Sequence, residues 1–475
     1  MQLIYGIKDK PKFSQRLIFA LQQVLAIMAA TLAVPAVVNG AMGSSMDPAA
    51  ALCGAGIGTI VYLLFTRSKS PVFLGSSFAF IGSMCSAFAG AASMALGYLG
   101  LILGAVLAGL VYVVLAVFAK TLGTDWLNKL MPPVVIGPTV AIIGLSLAPN
   151  AIADLLRSSV TEQTMEYSIV LNHGIPTIVE NLVDTAKGSV YVCLACGLVT
   201  LLTTVLFATF GKKMSRLIPF ILGILAGYAS ACVFWFIGEK TGNDMLKVIS
   251  FEPFARCFAR VNLASFLSVP RFTFLQAKGA FGELSVGYLV TLLTAYVPVA
   301  FVVFAEHIAD HKNLSTIVEK DLLKEPGLHR TLLGDGVGSM AGAFFGGCPN
   351  TTYGESIGCV AITGNASIVT IWYAAVMCIL VSFLSPFIAF LSSIPACVMG
   401  GVCIALYGFI AVSGLKMLQN VDLNENVNLF TASVILITGV GGLIVKVGAV
   451  EIRTVACALI LGIAVNKLLS RKKAA

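Results

Sequence analysis

Residues 99–119 read LGLILGAVLAGLVYVVLAVFA, a run of 21 residues without a charged side chain. A helix of about 20 apolar residues is long enough to cross the hydrocarbon core of a bilayer. Runs of similar length occupy residues 190–210, 217–237 and 368–388. Across all 475 residues, 58% are hydrophobic and 11% are charged, whereas a soluble domain carries about 25% charged residues. The sequence therefore predicts an all-α, polytopic membrane protein.

The basic residues indicate how this chain is oriented in the bilayer. The net charge is +8, but the lysines and arginines lie between apolar runs and not along one soluble face, which argues against nucleic-acid binding. The N-terminal segment is basic and lacks the pattern of a cleavable signal peptide. With the N-terminus inside and fourteen spans, 20 of the 30 basic residues are cytoplasmic. We expect both termini in the cytoplasm, and long external loops at about residues 149–189 and 239–283.

Neither the cysteines nor the histidines form a pattern that indicates a metal site or a catalytic centre. The twelve cysteines are scattered through apolar runs, and the four histidines lack a second ligand at zinc-site spacing. No nucleophile stands with a base at a catalytic spacing, and no P-loop pattern is present. We therefore expect no metal, no cofactor, no enzymatic activity and no ATP-driven pumping.

Two pairs of short segments indicate an internal duplication. Residues 71–82 (PVFLGSSFAFIG) are similar to residues 349–358 (PNTTYGESIG), since both place two small hydroxyl residues before an aromatic and a small residue. Residues 132–144 and 395–408 each place a proline five residues before a glycine. If each half holds seven spans, an odd number, the two copies insert with opposite orientation. This arrangement is the inverted repeat of many secondary transporters.

An inverted repeat predicts a binding site on interrupted helices at matching places in the two halves. The two hydroxyl-aromatic segments suit a short extended stretch that leads into a half-helix, whose free backbone N–H groups face a ligand. The alternative is that these two segments only mark close contacts between packed helices. Ionisable residues inside apolar runs are the second indication, because they are costly in the bilayer. They are Glu306, Asp310 and Glu355.

Glu306 and Asp310 are four residues apart and therefore share one helical face. Two carboxylates so close repel each other, which favours a proton on one of them. The alternative places them in solvent at the cytoplasmic end of the span, next to His311 and Lys312.

Four segments closely resemble the nucleobase-ascorbate transporter family, over nearly the whole chain. They are GSSFAF (75–80), AEHIAD (305–310), KDLLKEPGLHRTLLGDG (320–336) and PNTTYGESIG (349–358). Within the family the resemblance is strongest to bacterial uracil permeases. The family signature begins here at Glu355 and ends at Thr363, with Ser356 where the family usually has asparagine.

The resemblance implies fourteen spans, with half-helices in spans 3 and 10, each preceded by a short strand. It implies a core domain formed by residues 14–120 and 283–392 and a gate domain formed by residues 121–256 and 393–470. The substrate-binding residues it implies are Glu306, Glu355, Phe78, Gly354, Tyr353, Ala30 and Tyr407. The residues implied for proton coupling are Glu306, Asp310 and Glu355.

The function that follows is proton-coupled import of a nucleobase, with uracil as the leading candidate. Carboxylates accept hydrogen bonds from the ring N–H groups, backbone amides donate to its carbonyls, and Phe78 and Tyr353 offer ring faces for stacking. A xanthine or uric acid carrier is the alternative within the family. A channel or anion exchanger is less consistent, because the half-helix segments carry Glu355 and no basic residue. We expect a homodimer joined through the gate domains in a bacterial inner membrane.

Overall fold

A computed structural model describes residues 3–122, 132–172, 175–212, 215, 218–447, 450–452 and 454–473. Most of these residues are helical. The α-helices are α1 (Phe13–Met42), α2 (Pro48–Phe65), α3 (Ile81–Ala89), α4 (Met94–Leu122), α5 (Pro133–Leu155), α6 (Val190–Phe210), α7 (Pro219–Thr241), α8 (Glu252–Cys257), α9 (Thr273–Gln276), α10 (Val286–Ile317), α11 (Leu328–Gly346), α12 (Gly354–Thr363), α13 (Ile368–Val381), α14 (Ser385–Ser393), α15 (Ala396–Lys416), α16 (Asn426–Val440) and α17 (Thr454–Lys473). The strands are β1 (Leu74–Ser76), β2 (Thr161–Asn172), β3 (Ile175–Ala186), β4 (Asn350–Thr352), β5 (Val445–Val447) and β6 (Val450–Ile452).

Eight helices in the described part of the chain are long and apolar enough to cross a membrane: α1, α2, α4, α5, α6, α7, α10 and α15. Shorter apolar helices cover residues 78–89, 368–381, 426–440 and 454–470. These helices confirm the prediction of a mostly helical protein that crosses the membrane several times. The number of fourteen spans and the domain boundaries stay predictions.

The apolar run 368–388 is not one continuous helix, so this part of the sequence analysis was wrong. Helix α13 ends at Val381, and α14 begins at Ser385 with Pro386 in its first turn. Proline suits the first turn of a helix because it has no N–H to donate. The interruption is also held from outside, since the Ser385 backbone N–H donates to the carbonyl of Phe266 at 3.0 Å.

Two short strands lie within the helical bundle and join the two halves of the chain. Strand β1 pairs antiparallel with β4, and Gly75 stands opposite Thr351 at the centre of the ladder. The Ser77 backbone N–H extends the pairing by donating to the Pro349 carbonyl at 2.9 Å. A short 3₁₀ turn, Phe78–Phe80, then leads from β1 into α3, and α12 follows β4 directly. The ladder therefore sets two helix N-termini next to each other.

Helices α2 and α11 approach closely at glycines, which leaves room for Asn350, the first residue of β4. A Cβ on Gly54 would lie 2.5 Å from the Gly342 carbonyl oxygen, so neither position has space for a side chain. A Cβ on Gly342 would overlap the Asn350 amide. That amide donates to the Gly54 carbonyl at 3.0 Å. Close helix packing at small residues thereby anchors β4.

The remaining helices pack around this centre in two sets. Helix α11 packs along α2 and α4, while α15 packs along α5 and α6. Residues 132–144 and 395–408, matched in the sequence as a repeat, lie at the start of α5 and α15, so the two copies touch. The predicted external loop at 149–189 contains the antiparallel hairpin β2–β3, which the sequence analysis did not predict.

We predict that Gly342→Ala lowers the stability of the folded protein, because the added methyl group meets the Asn350 amide in a packed interior. Overpacking of this kind costs about 1 to 3 kcal/mol. Thermal unfolding of the detergent-solubilised protein measures the change. Gly408→Ala is the matched control, since a Cβ there meets no atom within 4 Å. Equal melting temperatures for Gly342→Ala and the parent would show that Asn350 is free to move.

Candidate functional site

A cavity of about 170 Å³ lies where the two strand-to-helix junctions meet α10, α5 and α15. Its polar wall comes from both junctions and from α10. Its lining residues are Ser77, Phe78, Ala79, Val140, Ile143, Glu306, Asp310, Thr351, Thr352, Tyr353, Gly354, Glu355, Phe409, Ile410 and Met417. Six of the eight residues that the sequence analysis named as binding or proton-coupling line this one cavity.

Three carboxyl groups share the cavity. Glu306 and Asp310 lie on one face of α10, and Glu355 lies in the first turn of α12. Within the described part of the chain, none of the three forms a salt bridge, and none of the residues that line the cavity is basic. Carboxylates brought together without a cation repel one another, and a bound proton relieves that repulsion. The cavity is therefore suited to take up protons.

Asp310 is held in place and is not a solvated residue at the end of its helix. Helix α10 continues to Ile317 beyond it. The Thr352 hydroxyl, at the end of β4, donates to Asp310 Oδ2 at 2.7 Å. This bond links α10 to the second half-helix junction. The solvent-exposed alternative for Asp310 is therefore wrong.

The backbone at two helix N-termini forms part of the cavity wall. Ser77 precedes the Phe78–Phe80 turn, and Tyr353 precedes α12. The first N–H groups of a helix have no partner within the helix and carry partial positive charge. A Cβ on Gly354 would meet no atom within 4 Å, so a ligand has room to approach the backbone there.

The aromatic residues at the site have different positions. Phe78 is half-buried, and its ring meets that of Tyr407 edge-on, with the ring centres 5.8 Å apart. Tyr407 itself is buried behind Phe78 and does not line the cavity. The Tyr353 hydroxyl donates to the Ser76 carbonyl at 2.6 Å, and its ring covers Gly75. Tyr353 therefore ties the two strands together as well as lining the site.

Ala30 is buried on α1 and does not line the cavity. Ser356, where the sequence departs from the signature of the family it resembles, is also buried. Its hydroxyl accepts from the Phe73 backbone N–H at 3.2 Å, and its carbonyl accepts from the Gln23 amide at 3.3 Å. Ser356 thus connects α12 to Phe73, the residue before β1. A short side chain with one hydrogen-bond acceptor is sufficient for this contact.

A buried polar network on a neighbouring face of α10 was missed by the sequence analysis. His307 Nδ1 lies 2.7 Å from Asp335 Oδ2 on α11, and His307 Nε2 lies 3.0 Å from the Thr331 hydroxyl. His311 Nε2 lies 2.7 Å from the Tyr62 hydroxyl on α2. The spacing of the two histidines, one helical turn, was the available signal. This network fastens α10 to α11 and α2, which fixes the direction of its carboxylate face.

The apolar wall of the cavity was also missed. It consists of Val140 and Ile143 from α5, Phe409 and Ile410 from α15, and Met417 just beyond α15. Only Tyr407 had been named from this side. Apolar residues occur throughout both helices, so the sequence carries no signal that selects these five.

The family is shown by comparison with known proteins. A family model described as "Permease family" matches residues 14–183 and 180–448. The chain belongs to this family. The uracil permease of Bacillus subtilis (strain 168) is 36% identical over 476 aligned positions, which cover 98% of this chain and 95% of the relative. The uracil permease of Escherichia coli (strain K12) is 35% identical, with 97% of this chain and 92% of the relative covered.

Solved structures show the same fold at low sequence identity. The transmembrane domain of a cyanobacterial bicarbonate transporter, BicA, matches with a TM-score of 0.60 and 13% identity, covering 97% of this chain and 99% of that domain. The murine anion transporter Slc26a9 matches with a TM-score of 0.60 and 11% identity, covering 98% of this chain and 69% of that one. The relatives matched over most of the chain are named permeases, which is consistent with a protein that is not an enzyme.

We predict that Gly354→Ala weakens ligand binding without destabilising the permease, because the methyl group enters open cavity space. One added methyl group in a fitted pocket costs about tenfold or more in affinity. Calorimetric titration with uracil measures the loss. Gly358→Ala is the control, since it lies one turn further along α12, also in open space, but does not line the cavity. Equal affinities for the two variants would place the ligand elsewhere.

Proposed function

We propose that this permease imports uracil together with protons, by alternating access at the cavity between the two half-helix N-termini. The observation that supports this best is the meeting of three carboxyl groups and two helix N-termini in one cavity. Relatives that span nearly the whole chain are named uracil permeases. The proposal assigns Glu306, Glu355, Phe78 and Gly354 to contact with the base.

The hydrogen-bonding groups of uracil match the polar wall of the cavity. The ring is flat and neutral, with two N–H donors and two carbonyl acceptors, and a polar group left unpaired in a dry site costs about 1 to 3 kcal/mol. The carboxylates of Glu306 and Glu355 accept from N–H groups, and the backbone N–H groups at Phe78 and Gly354 donate to carbonyls. Phe78 is the accessible ring for stacking. Tyr353 contributes by holding the strands, and Ala30 and Tyr407 support the site from behind.

The size of the cavity favours one ring over two. A protein cavity of about 150 Å³ admits benzene, and the cavity here is about 170 Å³. A pyrimidine is a single six-membered ring with small substituents. Xanthine and uric acid carry a second ring, so they fill this volume more tightly than uracil does. The purine alternative is therefore the weaker one.

Proton coupling is the second part of the proposal. A neutral base supplies no charge to balance three carboxyl groups, so a proton that binds with it lowers the repulsion among them. Asp310 already accepts a hydrogen bond from Thr352, and we assign it to proton transfer instead of ring contact. Import then follows the proton gradient.

An anion exchanger is the competing function, because both structural neighbours named above transport anions or bicarbonate. The lining argues against it. The cavity is lined by three carboxyl groups, and none of the described lining residues is basic. An anion in this cavity would meet like charge, whereas a neutral base would not.

The architecture we propose has fourteen spans in a seven-plus-seven inverted repeat, divided into core and gate domains. The ladder between β1 and β4 supports the repeat, because each strand leads into a short helix. We further propose a homodimer through the gate domains in a bacterial inner membrane, with both termini cytoplasmic. In helices α6 and α7, assigned to the gate, only 33% and 28% of the residues in the most apolar stretch are buried within one chain. The remaining apolar surface is left for lipid or for a second copy.

Uptake of labelled uracil tests substrate and driving force together. We expect excess unlabelled uracil to abolish uptake, and xanthine, hypoxanthine and cytosine at the same concentration to leave most of it. A protonophore should prevent accumulation but leave counterflow exchange intact, because exchange needs no net proton movement. Accumulation that persists with the protonophore would remove proton coupling from the proposal.

Substitutions at the carboxyl groups separate binding from coupling. We expect Glu306→Gln and Glu355→Ala to lose uracil binding in calorimetry. Asp310→Asn should retain binding and counterflow but lose accumulation, since an amide preserves shape and still accepts from Thr352 but cannot exchange a proton. Thr352→Val is the control, because it removes the hydrogen bond and keeps the carboxyl group. If Asp310→Asn accumulates uracil like the parent at every pH, another carboxyl group carries the proton.

A further inference from the structure

The segment that connects α7 to α10 exposes apolar side chains although it lies outside the long apolar helices. Six apolar side chains between residues 258 and 269 are 39 to 76% exposed: Phe258, Val261, Leu263, Phe266, Leu267 and Val269. This group of exposed apolar side chains, here called the apolar patch, is typical of a contact with another molecule or with a membrane. Arg256 and Arg260 lie beside these residues in the sequence. Basic and apolar residues together are typical of a segment that lies in the membrane interface.

This segment is fixed against helix α14. Leu267 forms an antiparallel bridge with Leu384. The Ser268 N–H donates to the Phe383 carbonyl at 2.9 Å, and the Ser385 hydroxyl donates to the Ala264 carbonyl at 2.7 Å. These bonds join residues far apart in the sequence. The position of this segment is therefore fixed by tertiary hydrogen bonds.

A cavity of about 690 Å³ opens between the segment and α14, away from the transport site. Arg256 and Arg260 line one side, and Ser385, Ile388 and Ser392 of α14 line the other, with Ser268 between them. The wall of the cavity thus carries two guanidinium groups, the Glu252 carboxylate and several hydroxyl groups. The exposed apolar residues alternate with its lining residues along the segment. The transport cavity differs, because its acidic side chains are carboxyl groups and none of its described lining residues is basic.

The charge of this cavity is positive. Arg256 pairs with Glu252 at 2.6 Å, and both side chains are more than half exposed. Arg260 has no acidic partner among the described residues. Within the described part of the chain, the hydroxyls of Ser268 and Ser392 form no hydrogen bond, so they are available to donate to a ligand. One guanidinium and two hydroxyls can together bind the oxygens of a phosphodiester.

We propose that this cavity binds the headgroup of an anionic phospholipid, with Arg260 on the phosphate and the apolar patch against the acyl chains. A free phosphate ion would use the arginine but would leave the apolar patch uncovered. A neutral lipid would cover the patch but would make little use of the positive charge. The combination selects a lipid with an anionic headgroup. This inference does not depend on which base the permease carries.

Native mass spectrometry of the full chain in a neutral detergent, titrated with phosphatidylglycerol, tests the proposal. We expect Arg260→Gln to weaken phosphatidylglycerol binding about fivefold, the effect of one basic residue near a lipid surface, and Arg260→Lys to retain most of it. Arg271→Gln is the control, since Arg271 lies in the same exposed segment but does not line the cavity. Unchanged binding by Arg260→Gln, or an equal loss in Arg271→Gln, overturns the site.

Two further binding measurements identify the ligand. Phosphatidylcholine should bind less tightly than phosphatidylglycerol to the parent, and this difference should disappear in Arg260→Gln. Inorganic phosphate should not displace phosphatidylglycerol at millimolar concentration. Displacement by inorganic phosphate, or equal binding of the two lipids by the parent, would contradict an anionic lipid site. Gel filtration of each variant checks that the fold is intact, and Arg256→Gln provides a second substitution at the same wall.

Discussion

The antiparallel ladder between β1 and β4 is the interaction on which the rest of the site depends. Helices that break inside an apolar bundle leave backbone N–H and C=O groups without partners, at a cost of several kcal/mol each. The ladder pairs these groups with each other across the two halves of the chain. Neighbouring side chains complete the pairing: the Leu74 N–H donates to the Thr59 hydroxyl at 2.9 Å, and the Asn350 amide donates to α2. The helix N-termini that follow are thereby held at one cavity.

Helix α10 shows how such a fold accommodates several ionisable residues in an apolar segment. Its carboxyl face, Glu306 and Asp310, lines the cavity, while His307 and His311 are bonded within the protein to α11 and α2. A polar group bonded inside the protein avoids much of the cost of burial. The histidines therefore hold the helix, and the carboxyl groups remain open to a ligand. This division of roles follows from contacts and could not be read from the spacing of the residues alone.

The sequence predicted the composition of the site better than its geometry. Apolar run length predicted membrane helices, and the cost of ionisable residues in such runs singled out Glu306, Asp310 and Glu355. The sequence could not give the strand register. The sequence analysis matched the two segments as copies of a repeat and predicted no pairing between them, whereas the structure pairs them antiparallel with Gly75 opposite Thr351. Gly75 is required there because the Tyr353 ring occupies the space of a side chain. Contacts of this kind, like the anchoring of Asp310 by Thr352, join residues from distant segments and leave no local pattern.

The two walls of the transport cavity differ in a way that bears on movement. Its hydrogen-bonding groups come from the half-helix junctions and α10, whereas α5 and α15 contribute only apolar residues, Val140, Ile143, Phe409 and Ile410. A polar surface that slides along an apolar one breaks no directional bonds between the two, so the barrier to sliding stays low. A second cavity of about 330 Å³ shares Phe78, Ala79 and Ile143 with the first. Residues of both walls therefore border both cavities: Phe78 and Ala79 on one side and Ile143 on the other. In the alternating access proposed above, a shift of one wall along the other would join the site to the second cavity, and the hydrogen bonds of the ladder, which lies on one wall only, would stay intact.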